Sequence, residues 1–515
     1  MEDSTAFEEV ARFVRQTALL ETTQAVLEWD ERTGLPQRAG AYRAEQITHL
    51  SGLIHRRRTD PWLGEALQGL VDSLGAGATA GPSDNHPEAV DPRAASIRRL
   101  HKEFLRQSKL PVDLVQAIAK ATVLGQQAWE RARAEDDWRA FEPHLKTIFG
   151  LRRQEAELLA DGGPLYDALL DQYEEGARSD QLAAVFDDLR KRLVELVQTL
   201  SQAPRQPTGQ ALVRPVAVDR QRTVSRWIAE QIGFDFSRGR LDETTHPFCT
   251  TLGPHDCRIL TRYQTDFFAS GFYGTLHETG HGLYEQGLPE EWFGLPAGSY
   301  CSLGVHESQS RLWENFVGRS RPFWQFAFPR VATQVDGAWE GLDSETLYRD
   351  SNCVRPSLIR VEADEVTYNL HILIRFEIEQ QLLHGNLDPC DAPQAWNDRY
   401  AAYLGVRPTS YSQGILQDVH WSAGLVGYFP TYTLGNLYAA QLMEAIAAEL
   451  GDSEAAISQG DFQPLLAWLR NRIHAFGACW PPAELMQRAT GQSLSAEPLD
   501  RYLRNKLYPI YGLNG

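Results

Sequence analysis

Positively charged residues are in the minority in this sequence. Its 515 residues include 50 Lys and Arg but 68 Asp and Glu, so the formal net charge is -18 at pH 7. Proteins that bind nucleic acid owe much of their affinity to Lys and Arg that neutralise phosphates, so this balance argues against a nucleic-acid partner and favours a soluble protein. A chain of this length is able to bury a large core, and we expect one catalytic domain spanning residues 1–515.

Cysteine is also scarce, and no C-x-x-C spacing occurs. The six cysteines lie far apart, at Cys249, Cys257, Cys301, Cys353, Cys390 and Cys479. Reduced core thiols in a cytosolic protein explain this pattern. The N-terminus, Met-Glu-Asp-Ser-Thr, lacks the basic region and the apolar segment of a secretory signal. We therefore predict a cytoplasmic location.

Long apolar runs are lacking too, and so are internal repeats and low-complexity tracts. The longest uncharged run, Trp421 to Met443, has the length of a membrane span. It contains Pro430, Asn436, Gln441, several Thr and Tyr residues and three glycines. This polar content favours the buried wall of an active site, and no membrane association is predicted.

Helical periodicity dominates the rest of the chain. Apolar residues recur at helical spacing over residues 5–57, over 97–200 and from Leu303 almost to the end. Between about Ser73 and Arg93 the composition turns to Gly, Ala, Pro and Asp, which predicts a mobile surface loop. Short β-favouring segments between Phe234 and Tyr263 predict a small hairpin. The predicted fold class is therefore mainly α, a large helical domain with one small β-hairpin.

A single His-Glu-x-x-His pattern lies in the run Phe272 to Gly287, just after the predicted hairpin. On a helix, His277 and His281 are one turn apart, so both imidazoles project from one face and are able to hold a single metal ion. Glu278 is offset by about 100° around the helix axis, near such an ion without being a ligand. A zinc peptidase requires this arrangement.

The residues around the pattern strengthen the metal interpretation. Gly274, Gly280 and Gly282 lie within the predicted helix, where each costs about 1 kcal/mol relative to Ala. A helix that served only for packing should avoid them. Tyr and Leu side chains border the two histidines, so we expect both imidazoles to be partly buried and to share a partner, which a metal ion supplies.

A catalytic zinc usually has three protein ligands. Glu285 is the carboxylate nearest to His281 in sequence, but it lies about 12 Å from His277 along the helix axis and is unable to close the site. Glu307 is the best candidate, because it follows His281 by 26 residues (307 minus 281), which leaves room for a turn and a returning helix. Glu314, two turns further along the same face, is the alternative.

Five short motifs follow one another along the chain. They are His246-Pro247-Phe248, the metal motif His277 to His281, His306-Glu307-Ser308-Gln309, Ile359-Arg360-Val361-Glu362-Ala363-Asp364, and Gly414-Ile415-Leu416-Gln417-Asp418-Val419-His420-Trp421. Together they make the sequence similar to the carboxypeptidase Taq family of thermostable metallocarboxypeptidases, and the likeness covers nearly the whole chain. The family's DxRxT motif appears as Asp256-Cys257-Arg258-Ile259-Leu260, with Leu in place of Thr.

This resemblance implies a predominantly helical fold with a deep active-site groove, usually in a homodimer. It also implies an enzyme that releases single residues from the C-termini of peptides with broad specificity. One zinc ion per chain is expected on His277, His281 and Glu307. Co²⁺ and Mn²⁺ are able to occupy the same ligands.

Three further residues are candidates for the chemistry beside the metal. Glu278 is predicted to be the general base that passes a proton to the leaving amine. The oxyanion of the tetrahedral intermediate needs hydrogen-bond donors. His420 and Tyr432, separated by 12 residues (432 minus 420), are candidates by analogy with other helical peptidases that carry the metal motif, and Tyr428 is the alternative phenol.

An exopeptidase must also bind the free carboxylate of its substrate, and a planar guanidinium offers two parallel donors. Arg258 and Arg360 both lie within family motifs and are the candidates. Either one could instead form a structural ion pair, with Asp256 or Asp364. His246, in the first motif, is grouped with these substrate-binding residues.

Two other functions are compatible with the same residues. An oligopeptidase that cuts internal peptide bonds would use the same metal chemistry. A catalytically silent binding protein could retain the fold, but a carboxylate at Glu278, beside the metal, argues against it.

Overall fold

The computed structural model describes residues 2–75, 90–451 and 453–514 of the chain. Within these residues the fold is mainly α, as predicted, with one small sheet. The mobile loop predicted between about Ser73 and Arg93 falls mostly on residues 76–89, which lie outside the described residues. The helices that flank it end at Leu74 and begin at Pro92.

Helices α1 to α9 precede the sheet. Their bounds are α1 Glu2–Thr33, α2 Gly40–Arg58, α3 Pro61–Leu74, α4 Pro92–Ser108, α5 Val112–Glu135, α6 Trp138–Leu159, α7 Leu165–Leu170, α8 Ser179–Ser201 and α9 Val218–Gln231. Helices α3 and α4 both begin with an Asp-Pro pair, in which Asp60 and Asp91 accept a hydrogen bond from the backbone of the first turn. Proline at the first helical position has no N–H that would otherwise be left unpaired.

The sheet consists of β1 (Gly239–Glu243), β2 (Phe248–Thr251) and β3 (Cys257–Thr261) in the order β1-β3-β2. Strands β2 and β3 form the predicted antiparallel hairpin, with Phe248 opposite Leu260. Strand β1 pairs in parallel with the other edge of β3 and was not predicted. Its sequence, Gly-Arg-Leu-Asp-Glu, contains no β-branched or aromatic residue, so its pairing depends on tertiary context.

The remaining helices follow the sheet. Their bounds are α10 Phe268–Glu285, α11 Leu303–Arg311, α12 Arg321–Ala332, α13 Ser344–Asp350, α14 Thr367–His384, α15 Ala392–Leu404, α16 Pro430–Leu450, α17 Ser453–Ser458, α18 Gln463–Arg472, α19 Pro482–Thr490 and α20 Glu497–Tyr511. Helix α11 continues directly into a π-helical turn over Leu312–Val317. None of the helices in the described part of the chain has the length and hydropathy needed to span a bilayer.

Buried apolar side chains form one large cluster, from Ala128 on α5 to Tyr511 on α20. A smaller cluster joins α1, α3 and α4 through residues that include Phe7 and Leu67. Leu295, from the segment between α10 and α11, belongs to this smaller cluster and ties the N-terminal helices to the rest of the chain. The single domain over residues 1–515 stays a prediction.

Glycines bring α11 into backbone contact with both α10 and α16. A Cβ atom placed on Gly280 of α10 would lie 2.6 Å from the carbonyl oxygen of Gln309 and 2.6 Å from Cα of Ser310. A Cβ atom on Gly435 of α16 would lie 2.6 Å from Cβ of Glu307. Real Cβ atoms do not approach backbone atoms so closely, so only glycine permits these helices to pack at this distance.

The expectation that a packing helix avoids glycine is therefore wrong for α10. Gly282 also faces a packed surface, since a Cβ atom there would lie 2.6 Å from the ring of Phe234 and 3.0 Å from Ile259. Gly280 and Gly282 lower the intrinsic stability of the helix, and close packing against α11 and the sheet offsets this cost.

Replacing Gly280 by Ala should destabilise the protein although alanine is the better helix former. The new methyl group must push α10 and α11 apart, and we expect the free energy of unfolding to fall by about 1–3 kcal/mol. Gly150→Ala is the matched control, because Gly150 lies within α6 and a Cβ atom there meets nothing within 4 Å. That variant should gain up to about 1 kcal/mol. Urea unfolding measures both, and equal stability of the two variants would contradict the close packing.

Candidate metal centre

Helices α10 and α11 bring the three predicted ligands together. One ligand atom each from His277, His281 and Glu307 lie within 4.8 Å of one another. The Oε2 atom of Glu307 is 3.7 Å from Nε2 of His277 and 3.6 Å from Nε2 of His281. Tetrahedral ligands at zinc bond lengths lie about 3.3 Å apart, so these atoms need to move only slightly to bind one ion.

The chemistry of this donor set fits a divalent metal. Two imidazole nitrogens and one carboxylate oxygen are the donors that borderline ions such as zinc prefer. Glu285 does not belong to the group, as predicted. Glu278 is 5% exposed, and its Oε2 atom has no hydrogen-bond partner among the described residues. Glu278 directly follows His277 and lines the same cleft as the three donors, and this oxygen lacks the hydrogen bond that a buried carboxylate normally makes.

Burial controls the ionisation of Glu278. Removal from water raises the pKa of this carboxyl to about 7, while the nearby His277 imidazole lowers it. A carboxyl with a pKa near neutrality both accepts and returns a proton easily, which suits a general base.

Glu307 is held ionised by its neighbours. Burial alone would raise the pKa of this carboxyl, but the charges of Arg311 and His277 outweigh burial and lower it well below the ordinary value. Nε of Arg311 donates to Oε1 of Glu307 at 2.7 Å, one helical turn further along α11. The second carboxylate oxygen, Oε2, is left to face the two histidines.

Glu314, the alternative third ligand, has a different place from the one predicted. Its Oε2 atom is 2.9 Å from Nδ1 of His277, on the side of the ring away from Nε2. Oε2 also pairs with Arg311 at 3.2 Å, and the other carboxylate oxygen, Oε1, pairs with Arg319 at 3.1 Å. The π-helical turn that follows α11 changes the direction of this residue, so the regular spacing assumed from sequence does not apply. Glu314 thus contacts the His277 imidazole at Nδ1, whereas the distance to Glu307 is measured from Nε2.

His420 and Tyr432 lie together, as their predicted shared role requires. Nε2 of His420 is 3.1 Å from the hydroxyl oxygen of Tyr432. Burial and the nearby charge of Arg360 lower the pKa of His420 to about 3, so its imidazole is neutral. Tyr428 is adjacent, with its ring centre 5.4 Å from that of Tyr432.

A cleft of about 630 Å³ opens onto the candidate ligands. Its walls come from α1, the edge strand β2, α10, α11 with the segment before it, and the start of α16. The cleft is lined by His277, Glu278, His281, Glu307, Tyr428 and Tyr432, and also by Pro247 and Phe248. The side chain of His246 is exposed, and this residue is not part of the lining. His420, which contacts Tyr432, is not part of the lining.

The two candidate arginines both have carboxylate partners. Arg258 forms two hydrogen bonds of 2.8 Å with Asp256, as its structural alternative predicted, and lies over the ring of Trp29. Arg360 is 6% exposed and pairs with Asp418 at 2.9 Å. Its predicted pairing with Asp364 is wrong. Neither arginine lines the cleft directly.

Asp364 is the carboxylate nearer to Arg360 in sequence, but it does not pair with this arginine. Asp364 accepts hydrogen bonds from the backbone of Val366 and Thr367 and so starts α14. Asp418 also binds Arg375, a fully buried residue of α14, at 2.6 Å. Arg375 was missed because a lone arginine in a helix gives no signal of its buried partner. The position of Asp418 two residues before His420 was the only available hint.

Nearly the whole chain is similar to known proteins in sequence and in fold. Residues 9–507 match the family model described as carboxypeptidase Taq (M32) metallopeptidase. Thermostable carboxypeptidase 1 of Thermus thermophilus is 45% identical over 524 residues, which cover 99% of this chain and 100% of that protein. Carboxypeptidase 1 of Bacillus subtilis is 34% identical, with 95% of each chain covered.

Solved structures agree with this similarity. An M32 carboxypeptidase from Deinococcus radiodurans superposes with a TM-score of 0.92 at 38% identity, covering 99% of this chain and 100% of that one. A carboxypeptidase from Pyrococcus furiosus superposes with a TM-score of 0.90 at 35% identity, covering 97% and 98%. The chain belongs to the carboxypeptidase Taq (M32) family of metallopeptidases.

Proposed function

We propose that this metallocarboxypeptidase uses one zinc ion to release single C-terminal amino acids from peptides with broad specificity. The observation that carries the proposal is the convergence of His277, His281 and Glu307 within 4.8 Å on the wall of a cleft. Co²⁺ and Mn²⁺ suit the same donors. The substrate class follows from the family and from its carboxypeptidase relatives.

A bound divalent ion would polarise the scissile carbonyl and make water more acidic. Glu278 is the proposed base, because it lines the same cleft as the three ligands, its Oε2 atom has no hydrogen-bond partner among the described residues, and burial raises its pKa to about 7. The ionised carboxylate takes a proton from the attacking water, and the resulting carboxylic acid gives it to the nitrogen of the departing amino acid.

Tyr432 is the proposed donor to the oxyanion that forms on the substrate. Its ring lines the cleft, and its hydroxyl is 3.1 Å from Nε2 of His420. A phenol has one proton, so Tyr432 is able to donate it to the oxyanion only if Nε2–H of the neutral His420 imidazole donates to the phenol oxygen; in this tautomer His420 orients the phenol. Tyr428, on the same wall, is the second phenol available to the substrate.

Arg360 is the better candidate for the substrate carboxylate, with Arg258 as the second. Arg360 and Arg375 share one carboxylate, Asp418, so this buried group keeps one excess positive charge. Arg258 is fully paired with Asp256. The guanidinium of Arg360 lies 5.1 Å from the ring centre of Tyr432, immediately behind the cleft wall. An unbalanced buried charge attracts an anionic chain end strongly.

We further propose that the enzyme works in the cytoplasm as a homodimer. The six free cysteines support a reducing compartment. The homodimer rests on the resemblance to the family. His246, exposed next to Pro247 and Phe248 of the cleft wall, is proposed to contact the peptide at the rim.

The purified protein should release the last residue of an N-blocked dipeptide, followed by amino-acid analysis. Amidation of the substrate's C-terminus should remove most of this activity, because the amide lacks the charge that a guanidinium binds. An oligopeptidase would cut the amidated peptide equally well, so undiminished cleavage would contradict the proposal. Chelation should abolish release, and zinc should restore it.

Glu278→Gln should lower kcat by at least about 100-fold while leaving the metal content unchanged, since the amide is unable to take the proton. Metal analysis and turnover are measured on the same sample. Glu362→Gln, at an exposed glutamate, is the control and should behave as the parent. Loss of metal from the Glu278 variant would show that this residue is a ligand.

Arg360→Gln should raise KM for the free-acid substrate by about 10-fold or more, because the positive charge behind the cleft wall that attracts the chain end is lost. The same substitution at Arg258 should have a smaller effect. Circular dichroism and metal content verify that both variants are folded. A larger increase for Arg258 would reverse the assignment of the two arginines.

A further inference from the structure

His306 lies between a proposed metal ligand and a carboxylate, although the mechanism above does not use it. Its Nδ1 atom is hydrogen-bonded to Nδ1 of His281. Its Nε2 atom is 2.9 Å from Oε1 of Glu285. The other carboxylate oxygen of Glu285 accepts a hydrogen bond of 2.8 Å from the hydroxyl of Thr251 on β2. A continuous chain of hydrogen bonds thus connects His281 to the edge strand.

The protons in this chain have only one consistent arrangement. Nε2 of His281 faces Glu307 and the position of the ion, so it must keep a free lone pair. The proton of the neutral ring is then on Nδ1 and is donated to His306. Because Nδ1 of His306 accepts, its own proton is on Nε2 and is donated to the Glu285 carboxylate. The reverse order would place a proton on Nε2 of His281 and prevent it from binding a metal.

The ring of His306 is held in the plane that this bonding requires. Tyr300 packs edge-on against it with ring centres 4.9 Å apart, and Tyr284 lies at 5.2 Å on a tilted plane. The two proposed histidine ligands therefore have different supports. His277 bonds directly to the carboxylate of Glu314, whereas His281 reaches its carboxylate through a second imidazole.

We propose that His306 is a positioning residue that fixes the ligating tautomer of His281, with Glu285 fixing the tautomer of His306. The proposal rests on the metal site of the proposed function. It gives His306, the first residue of the His306-Glu307-Ser308-Gln309 segment, a role of its own beside the proposed ligand Glu307. Partners of this kind typically change metal affinity by about 10–100-fold.

His306→Phe tests the proposal, because phenylalanine keeps a planar ring and removes both nitrogens. The dissociation constant for zinc, measured by competition with a chromogenic chelator, should rise by about 10–100-fold. His306→Gln should restore most of the affinity, because its amide oxygen is able to accept from His281 and its nitrogen to donate to Glu285. An effect of ring packing alone would not be rescued in this way.

His474→Phe is the matched control. This buried imidazole packs on Tyr284 as His306 does, but it bonds to Gln309 and touches none of the proposed ligands. Its zinc affinity should stay close to that of the parent. Equal weakening in both Phe variants, or parent-like affinity in His306→Phe, would overturn the proposal.

Glu285→Gln provides a second measurement if His306→Phe does not fold. The amide still accepts from His306 but lacks the charge, and zinc affinity should fall by about 10-fold. Unchanged affinity would overturn the proposal. His281→Ala distinguishes failure of the metal site from failure of the role of His306. If this variant binds zinc as tightly as the parent, the proposed metal site is wrong, and the role of His306 with it.

Discussion

The site depends on the close approach of α11 to both α10 and α16. Gly280 and Gly435 permit this approach, because any side chain at either position would meet atoms of Glu307, Gln309 or Ser310. The close packing places the carboxylate of Glu307 opposite the two imidazoles on α10. A charged group in this position would be unstable alone, so Arg311 follows one turn later and compensates its charge.

The carboxylates around the site outnumber the guanidinium groups. Glu278, Glu307 and Glu314 bring three carboxylates into a mostly buried region, and Arg311 and Arg319 bring two guanidinium groups. Three negative and two positive charges leave one negative charge if all are ionised. The raised pKa of Glu278 reflects this excess as well as burial, since Glu307 and Glu314 both add to the increase. A divalent cation would more than offset this excess negative charge, so the site is suited to a metal in its charge as well as in its donors.

The sequence predicted the residues whose geometry follows from local rules. Two histidines four residues apart on a helix share a face in any fold, so His277 and His281 needed no tertiary information. Glu307, His420 and Tyr432 were found through motifs and analogy. Their meeting depends on how α11 and the loop before α16 return to α10, and spacing alone does not determine that path.

The errors concern interactions that are distant in sequence or locally irregular. Glu314 was assigned from regular helical spacing, which the π-helical turn interrupts. Arg360 pairs with Asp418, 58 residues away, and not with its neighbour Asp364. Strand β1 and the glycines of α10 make sense only beside their partners in β3 and α11. Apart from the local π-helical turn, the decisive contact was tertiary, and no local pattern in the sequence encoded it.

The most direct measurement is a crystal structure of the zinc-loaded protein with anomalous scattering recorded at the zinc edge. We predict one strong peak per chain, within about 2.0–2.2 Å of Nε2 of His277, Nε2 of His281 and a carboxylate oxygen of Glu307. A peak bound elsewhere, or one at this position that lacks Glu307 as a ligand, would contradict the account.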